Sequence, residues 1–241
     1  MSKIENGWNE SAAAWIADMG EHGDFGRQYV LDPIMLPRAL AAKAGNALDV
    51  GCGEGRFCRL LQQHGIATTG LDPTPALLAQ ARERDPAGAY VEASGEALPM
   101  PNASFDLVVS YLSLIDIPDF AAAIAEMSRV LKPGGRLLVA NLNSFNTASG
   151  DDGWVRDALG RLKHYPLDNY LEERAFWTAY RGIRIVNHHR PLSAYMRAFL
   201  ACGLTLSYFD EPAPVVGAPE PKAERYRRAP WYVVMEWRKP V

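Results

Sequence analysis

The chain has 241 residues, of which 48% are hydrophobic, and a formal net charge of -3. This length and composition can bury a sizeable core in one domain or in one domain with insertions. The slightly acidic balance gives no general attraction to phosphate backbones or anionic lipids, so neither nucleic acid nor a membrane is an expected partner. No apolar run approaches the roughly 20 residues that span a bilayer, and the first residues lack a secretory pattern, so we expect a cytoplasmic protein.

The cysteine pattern agrees with a reducing compartment. Cys52, Cys58 and Cys202 form neither an even disulfide set nor a C-x-x-C metal pair, so no metal is expected.

Strand-type and helix-type segments alternate through the middle of the chain. Between the apolar runs, apolar residues recur at spacings that place them on one face of a helix. This alternation is typical of a parallel sheet covered by helices. The predicted strands are ALDVG (47–51), ATTGLD (67–72), AYVEA (89–93), FDLVVSYL (105–112) and GRLLVANL (135–142).

Three segments lie outside this central alternation. Residues 1–45 carry helical patterns, and residues 143–190 are rich in Trp, Tyr, His and Arg; we interpret both as lids over the strand ends. Residues 191–241 are predicted to form a helix, a strand, a proline-rich loop and a last strand. The predicted fold is α/β, a single domain with a core at 46–142. Its sheet is Rossmann-like, doubly wound and seven-stranded, mostly parallel with a C-terminal antiparallel hairpin, with helices on both faces.

A glycine-rich loop, ALDVGCGEGRF, follows the first predicted strand. Glycine permits the positive-φ backbone of a tight turn and a close approach to a ligand, and this turn is the usual cradle in such sheets. Gly51, Gly53 and Gly55 have the spacing G-x-G-x-G, whereas a dinucleotide fingerprint is G-x-G-x-x-G. Asp49 and Glu54 bring negative charge, which favours an α-amino group or a sulfonium over a diphosphate.

Asp72 ends the second predicted strand, where an acidic side chain can hold the two hydroxyls of a ribose. The alternative role is at a helix start, because Thr74 and Pro75 follow in a typical capping arrangement. The neighbouring glycine loop favours the ribose role.

Four motifs occur in order between about Ala47 and Leu142: LDVGCGEGRF, LDPTPALLAQAR, EASGEALPMPNASFDLVVS and RVLKPGGRLLVA. In these four motifs the chain resembles the class I S-adenosylmethionine-dependent methyltransferases. The resemblance is to the small-molecule branch that is similar to the ubiquinone and menaquinone biosynthesis methyltransferases. It implies S-adenosyl-L-methionine as cofactor and S-adenosyl-L-homocysteine as its product, and it carries almost no information on the substrate.

The resemblance also implies residue roles. The loop would receive the methionine moiety, Asp72 the ribose, and Pro73 would lie near the adenine. Ser110 occupies the family position that faces the methionine end, although it could equally be a small packed residue. Apart from the resemblance, we expect Tyr29 to close over the cofactor, because the segment DFGRQYVLDP lies between two predicted helices. The expected cofactor-binding residues are Asp49, Gly51, Cys52, Gly53, Asp72, Pro73, Ser94, Gly95, Ser110 and Tyr29.

Ser94 departs from the family pattern, which usually has an Asp that contacts the adenine amino group. A serine hydroxyl can accept the same hydrogen bond, and the backbone of Gly95 could serve a ring nitrogen, but the charge assistance of a carboxylate is missing. We therefore expect Ser94→Asp to leave cofactor affinity unchanged or to improve it.

Methyl transfer from a sulfonium needs mainly alignment and exclusion of water, so a general base is optional. His188 and His189 are the candidates for a base, because histidine titrates near neutral pH. Adjacent residues point in different directions, so we expect at most one of them to face the pocket. The expected substrate contacts are Tyr111, Asp116, Tyr180 and Arg190.

The predicted function is an S-adenosylmethionine-dependent O- or N-methyltransferase of a small, aromatic or heteroaromatic metabolite, working as a monomer or homodimer. The alternatives are a methyltransferase of protein or RNA and a non-catalytic cofactor-binding module. Tyr111-Leu112-Ser113-Leu114 stands where nucleic-acid enzymes have an N/D-P-P-Y/F motif, and the intact glycine loop argues against a module.

Overall fold

The computed structural model describes residues 6–149 and 153–241. Residues 1–5 of the predicted N-terminal lid and residues 150–152 of the predicted insertion lie outside the described residues. None of the described helices combines the length and the apolar character that crossing a membrane requires.

Strands and helices alternate in the described chain, with extra strands late in the sequence. The strands are β1 (Asn46–Val50), β2 (Ala67–Asp72), β3 (Ala89–Glu92), β4 (Phe105–Tyr111), β5 (Leu131–Leu142), β6 (Val155–Arg156), β7 (Leu162–His164), β8 (Arg174–Tyr180), β9 (Ile183–His189), β10 (Thr205–Asp210) and β11 (Tyr232–Arg238). The helices are α1 (Trp8–Met19), α2 (Asp32–Ala41), α3 (Arg56–Gln62), α4 (Pro75–Arg84), α5 (Phe120–Val130), α6 (Ser144–Ala148), α7 (Leu192–Ala201) and α8 (Lys222–Arg228).

Seven of these strands form one sheet in the order β10-β11-β5-β4-β1-β2-β3. The strands from β1 to β5 pair in parallel, whereas β11 is antiparallel to both β5 and β10. The predicted seven-stranded sheet with a C-terminal antiparallel pair is therefore confirmed. The strand order reverses between β1 and β4, so the crevice at their carboxyl ends is where a ligand of such a sheet binds.

The sheet is apolar on both faces because residues along β4 alternate between two cores. Val108 joins the core that contains α5 and α7, whereas Leu107 and Val109 join the core formed with α2 and α3. This alternation follows from the two-residue period of a strand.

The predicted lid segment 143–190 folds into α6 and two separate antiparallel pairs, β6 with β7 and β8 with β9. The β8–β9 pair lies between α1 and the loop after β4. Ser11 Oγ donates to the carbonyl of Arg184 at 3.0 Å, and the backbone N–H of His188 donates to the carbonyl of Ile115 at 2.8 Å. The pair thus connects the N-terminal helix to the carboxyl edge of the sheet.

Candidate functional site

A cavity of about 450 Å³ opens at the carboxyl ends of β1, β2 and β4. Its lining comes from the glycine loop, the end of β2, the segment at 92–96, α1, Arg27 and the loop after β4. A second cavity of about 100 Å³ adjoins it and is bounded by Asp24, Tyr180 and Ile185. The residues that line both cavities are Trp8, Trp15, Arg27, Leu112 and Asp116.

The glycine loop is held in shape by β2. The N–H groups of Gly51 and Cys52 both donate to the carbonyl of Leu71, at 2.7 and 3.0 Å, and the N–H of Gly53 donates to Asp72 Oδ2 at 2.9 Å. Gly51 has a φ of 77°, and a Cβ at this position would collide with the side chain of Ser113. Only glycine meets both conditions, so the shape of the loop depends on a glycine at position 51.

Asp72 serves two loops at once. Its Oδ2 accepts from Gly53, and its Oδ1 accepts from the N–H of Thr74 at 2.8 Å. A carboxylate has about four acceptor sites, so two remain for a ligand in the cavity that Asp72 lines. Asp72 can therefore support the start of α4 and still accept the hydroxyls of a ribose. Burial raises the pKa of Asp72, while these two backbone hydrogen bonds oppose the shift.

Asp49 lines the same cavity with an incompletely satisfied carboxyl group. Its Oδ2 lies 3.7 Å from the sulfur of Cys58, and its buried Oδ1 has no hydrogen-bond partner within the described residues. Burial raises the pKa of Asp49 to about 7. An orphaned, buried carboxylate oxygen is costly, and a ligand that carries a protonated amino group would satisfy it.

Glu54 does not supply the negative charge that the sequence led us to expect at the glycine loop. Its Oε2 accepts from Arg59 at 2.7 Å and from Arg84 at 2.9 Å, so two guanidinium groups neutralise its charge. The negative potential at the loop therefore comes from Asp49 and Asp72.

Ser94 does not present a free hydroxyl to the cavity. Ser94 Oγ donates to Glu96 Oε2 at 2.6 Å, and Glu96 Oε1 accepts from the N–H of Asp119 at 2.8 Å. Ser94, Gly95 and Glu96 all line the cavity. Glu96, which the sequence argument missed although it stands only two residues later, brings a carboxylate to the region where Ser94 lacks one.

This contact reverses the expectation for Ser94→Asp. A second carboxylate at hydrogen-bonding distance from Glu96 would repel it, so we now expect an affinity for S-adenosylhomocysteine about 5- to 10-fold lower. Isothermal titration measures the change. The control is Ser94→Asn, whose amide can still donate to Glu96 and which should bind within about twofold of wild type. Unchanged binding by Ser94→Asp would contradict the Ser94–Glu96 contact.

Two of the expected cofactor contacts, Ser110 and Tyr29, lie outside the cavity lining. Ser110 is fully buried with its Oγ 2.7 Å from Ser113 Oγ, and Ser113 Oγ in turn donates to the carbonyl of Val50 at 2.6 Å. Ser110 therefore ties β4 to β1 as a packed residue. Tyr29 packs on Phe25 with a ring separation of 5.1 Å.

Arg27, which was not predicted, takes the place expected for Tyr29. It belongs to a π-helical turn, Arg27–Leu31, that runs directly into α2. Its guanidinium carbon lies 4.9 Å from the ring centre of Trp15, and one of its nitrogens lies 3.3 Å from Asp24 Oδ1. Because Tyr29 is two positions further round the turn, it points away from the cavity.

Neither His188 nor His189 lines the cavity, so the expectation of a histidine base is corrected. His189 is buried, with Nε2 2.9 Å from the carbonyl of Tyr170 and Nδ1 2.7 Å from Thr147 Oγ1. Since a carbonyl can only accept, Nε2 carries the proton and Nδ1 accepts from the threonine hydroxyl. Burial lowers the pKa of His189, and burial with the charge of Arg190 lowers the pKa of His188 to about 4.

We expect His189→Ala to lower the free energy of unfolding by about 2–4 kcal/mol, because it leaves two buried polar groups unpaired and opens a cavity. His188→Ala is the matched control, with an expected loss below about 1 kcal/mol. Urea denaturation of the two variants measures both values. A larger loss in His188→Ala would contradict the observed orientation of β9.

The predicted substrate contacts divide into three groups. Tyr111 and Asp116 line the larger cavity, although the Tyr111 hydroxyl donates away from it to Asp32 at 2.8 Å. Tyr180 lines the second cavity. Arg190 lines neither, because its guanidinium is buried and donates to the carbonyls of the loop after β4.

Comparisons with known proteins agree with this geometry. Residues 48–139 match the model of a family described as a methyltransferase domain. The malonyl-[acyl-carrier protein] O-methyltransferase of Enterobacter lignolyticus is 34% identical over 152 residues, which are 62% of this chain and 58% of that protein. The phthiotriol/phenolphthiotriol dimycocerosates methyltransferase of Mycobacterium leprae is 39% identical over 155 residues, 62% of this chain and 57% of that protein.

Among solved structures, an S-adenosylmethionine dependent methyltransferase from Mesorhizobium loti superimposes with a TM-score of 0.73 and 29% sequence identity. The match covers 86% of this chain and 99% of that one. The chain spans less than two thirds of the length of the two curated relatives.

Proposed function

We propose that the chain is a class I S-adenosylmethionine-dependent methyltransferase, as its sequence resemblance implies, and that it transfers a methyl group to a small acceptor. The main support for this proposal is the unpartnered Oδ1 of Asp49 beside a glycine loop that hydrogen bonds to β2 hold in shape. These features suit the protonated amino group and the sulfonium of the cofactor.

The residues present fit that cofactor. Asp49 and the loop Gly51–Gly53 would hold the methionine moiety, Asp72 would accept the ribose hydroxyls, and the 94–96 segment would border the adenine. When bound, the cofactor supplies an electrophilic methyl group on a positively charged sulfur. The chain's own contribution is to orient the two reactants and to exclude water, which accounts for much of the acceleration in such displacements.

We further propose that the acceptor is small, with an oxygen or nitrogen as the methylated atom. The second cavity is about 100 Å³ and has Trp8, Trp15 and Tyr180 among its walls, which supports a flat acceptor. The acceptors in the relatives' names, a malonyl-[acyl-carrier protein] and phthiotriol dimycocerosates, differ too much to define this one.

We also propose that the chain is a single domain with a core at 46–142. Its lids would be residues 1–45 and 143–190, and residues 191–241 would complete the domain. Contacts of β9 with α1 and with the loop after β4 support it. A cytoplasmic location is proposed with it, as is a monomeric or homodimeric state.

The test is an incubation of the protein with methyl-labelled S-adenosylmethionine and a small-molecule extract of bacterial cells, followed by mass spectrometry. We expect one labelled small molecule, which is absent with an Asp72→Ala variant that no longer binds the cofactor. Label only in protein or RNA would favour the macromolecular alternative. Tight S-adenosylhomocysteine binding without any labelled product would favour a non-catalytic module.

A further inference from the structure

We propose that Asp116 accepts the proton of a neutral hydroxyl or N–H acceptor bound in the second cavity. The inference rests on the proposed methyl transfer and deepens it by naming the acceptor class and the group that takes the proton. Its first support is location: Asp116 and Arg27 are the charged residues that line both cavities within the described chain. We call the boundary between the two cavities, where these shared residues lie, the junction. A methyl group that passes from the cofactor cavity to an acceptor in the second cavity must cross it.

The Asp116 carboxyl group is held with one oxygen free. The side-chain amide of Asn187 donates to Asp116 Oδ1, and the backbone N–H of Asp116 donates to the carbonyl of Ser113 at 3.0 Å. Asn187 is itself buried on β9. Within the described residues Asp116 Oδ2 has no hydrogen-bond partner, so it remains available to an acceptor.

Arg27 is less available than Asp116. One of its nitrogens pairs with Asp24, and its guanidinium lies over the rings of Trp15 and Tyr111, at 4.9 and 5.7 Å from their centres. Arg27 therefore faces the acceptor mainly as a positive charge that favours an ionised Asp116.

The other charges around Asp116 indicate the acceptor class. Arg27 and Arg190 favour its ionised form, Asp72 opposes it, and burial raises its pKa well above the usual range of a carboxyl group. A carboxylate acceptor would place another negative charge beside Asp116 and Asp24, whereas a neutral hydroxyl or N–H group meets a free proton acceptor.

The acceptor oxygen or nitrogen forms a bond to the methyl carbon, and the bond from that carbon to sulfur breaks with its electron pair kept by the sulfur. The acceptor's proton moves to Asp116 Oδ2, which later releases it to solvent. Asn187, hydrogen-bonded to Oδ1, keeps the carboxyl group oriented, and the apolar side chains of Leu112, Ile115 and Ile185 line the second cavity.

The first test measures binding alone, so it does not depend on knowing the natural acceptor. Phenol and benzoate share a ring and differ in charge near neutral pH, and each is titrated into the protein saturated with S-adenosylhomocysteine. We expect phenol to bind at least about tenfold more tightly than benzoate, and Asp116→Asn to weaken phenol binding about fivefold or more. Asp119→Asn, a change at an exposed helix cap of the same loop, is the control and should leave phenol binding unchanged.

The second test uses the labelled product of the extract experiment. An ether or an N-methyl product supports the inference, and a methyl ester overturns it. With the identified acceptor, Asp116→Asn should lower kcat about 100-fold or more while KM changes only a few-fold, and the lower limb of the kcat pH profile should disappear. Asp116→Glu should restore part of kcat.

The two proposals fail in different ways. Benzoate binding as tightly as phenol, or phenol binding that Asp116→Asn does not alter, overturns the role of Asp116 and leaves methyl transfer standing. If Asp116→Asn no longer binds S-adenosylhomocysteine, the comparison of phenol with benzoate on the wild-type protein still decides. The absence of any methylated small molecule overturns the proposed function itself.

Discussion

Replacing Arg190 with methionine is expected to lower the free energy of unfolding by about 3–5 kcal/mol. One nitrogen of the guanidinium donates to the carbonyl of Leu114 at 3.0 Å, and the other donates to Ile117 at 2.6 Å and Pro118 at 2.8 Å. The residue is only 3% exposed, so water cannot replace these donors when the side chain is shortened. Chemical denaturation measures the loss.

The same substitution should disturb the cofactor site, because Ile117 and Pro118 line the larger cavity. We expect the affinity for S-adenosylhomocysteine to fall together with stability. If Arg190→Met does not accumulate as folded protein, Arg190→Lys provides the measurement. Its single ammonium group keeps the charge but cannot match the planar fork of Arg190, so an intermediate loss is expected.

Arg197→Met is the matched control, since Arg197 is exposed on α7. Its expected effect is within about 0.5 kcal/mol. Equal stability of Arg190→Met and Arg197→Met would show that Arg190 does not hold the loop after β4. Arg190 would then again be free for the substrate contact that the sequence suggested.

Local signals explain why the sheet and the cradle could be predicted from sequence. Strand-type apolar runs and the glycine spacing after β1 depend on near neighbours in the chain, and Asp72 follows its strand directly. α8 was missed because its sequence, KAERYRR, has little apolar periodicity. Packing of Tyr226 on Trp231, with ring centres 4.7 Å apart, contributes to holding this helix against the fold.

Side-chain direction was the part that sequence could not supply. Alternation predicts that His188 and His189 face opposite ways, but which one is buried depends on how β9 packs against α6 and the Tyr170 segment. Similarly, the charge of Glu54 is neutralised partly by Arg84, which is 30 positions away in the chain. Contacts of this kind depend on tertiary packing, which spacing alone does not encode.

Side-chain direction in the π-helical turn Arg27–Leu31 likewise could not be predicted from the sequence. The turn directs Arg27 into the cavity, while Tyr29 packs on Phe25 outside it. The segment between the two helices contributes a side chain to the cavity, but that side chain is Arg27 and not the expected Tyr29. Composition gave no indication of which of its side chains faces inward.

Cofactor affinity is expected to rise with pH from about pH 6 to about pH 8 and then to level off. Burial raises the pKa of Asp49 to about 7, so a substantial fraction of the molecules carries a proton there at neutral pH. A positively charged amino group beside Asp49 favours the ionised form and lowers this pKa. Binding therefore releases a proton at low pH, and affinity should increase by up to about tenfold per pH unit below pH 7.

The substitution Asp49→Asn tests the origin of this slope. The variant should bind S-adenosylhomocysteine about 10- to 100-fold more weakly at pH 8, because it loses a buried charge opposite the amino group, and its affinity should vary with pH less than that of the wild-type protein. Titration calorimetry in two buffers with different ionisation heats counts the released protons directly.

Glu54→Gln supplies the control, because Glu54 lies in the same loop but is already paired with Arg59 and Arg84. This variant should keep the pH slope of the wild-type protein. If Glu54→Gln abolished the slope and Asp49→Asn kept it, the charge that recognises the cofactor would lie on Glu54. The unpartnered Oδ1 of Asp49 would then have no part in holding the methionine moiety, and the observation that supports methyl transfer most directly would be lost.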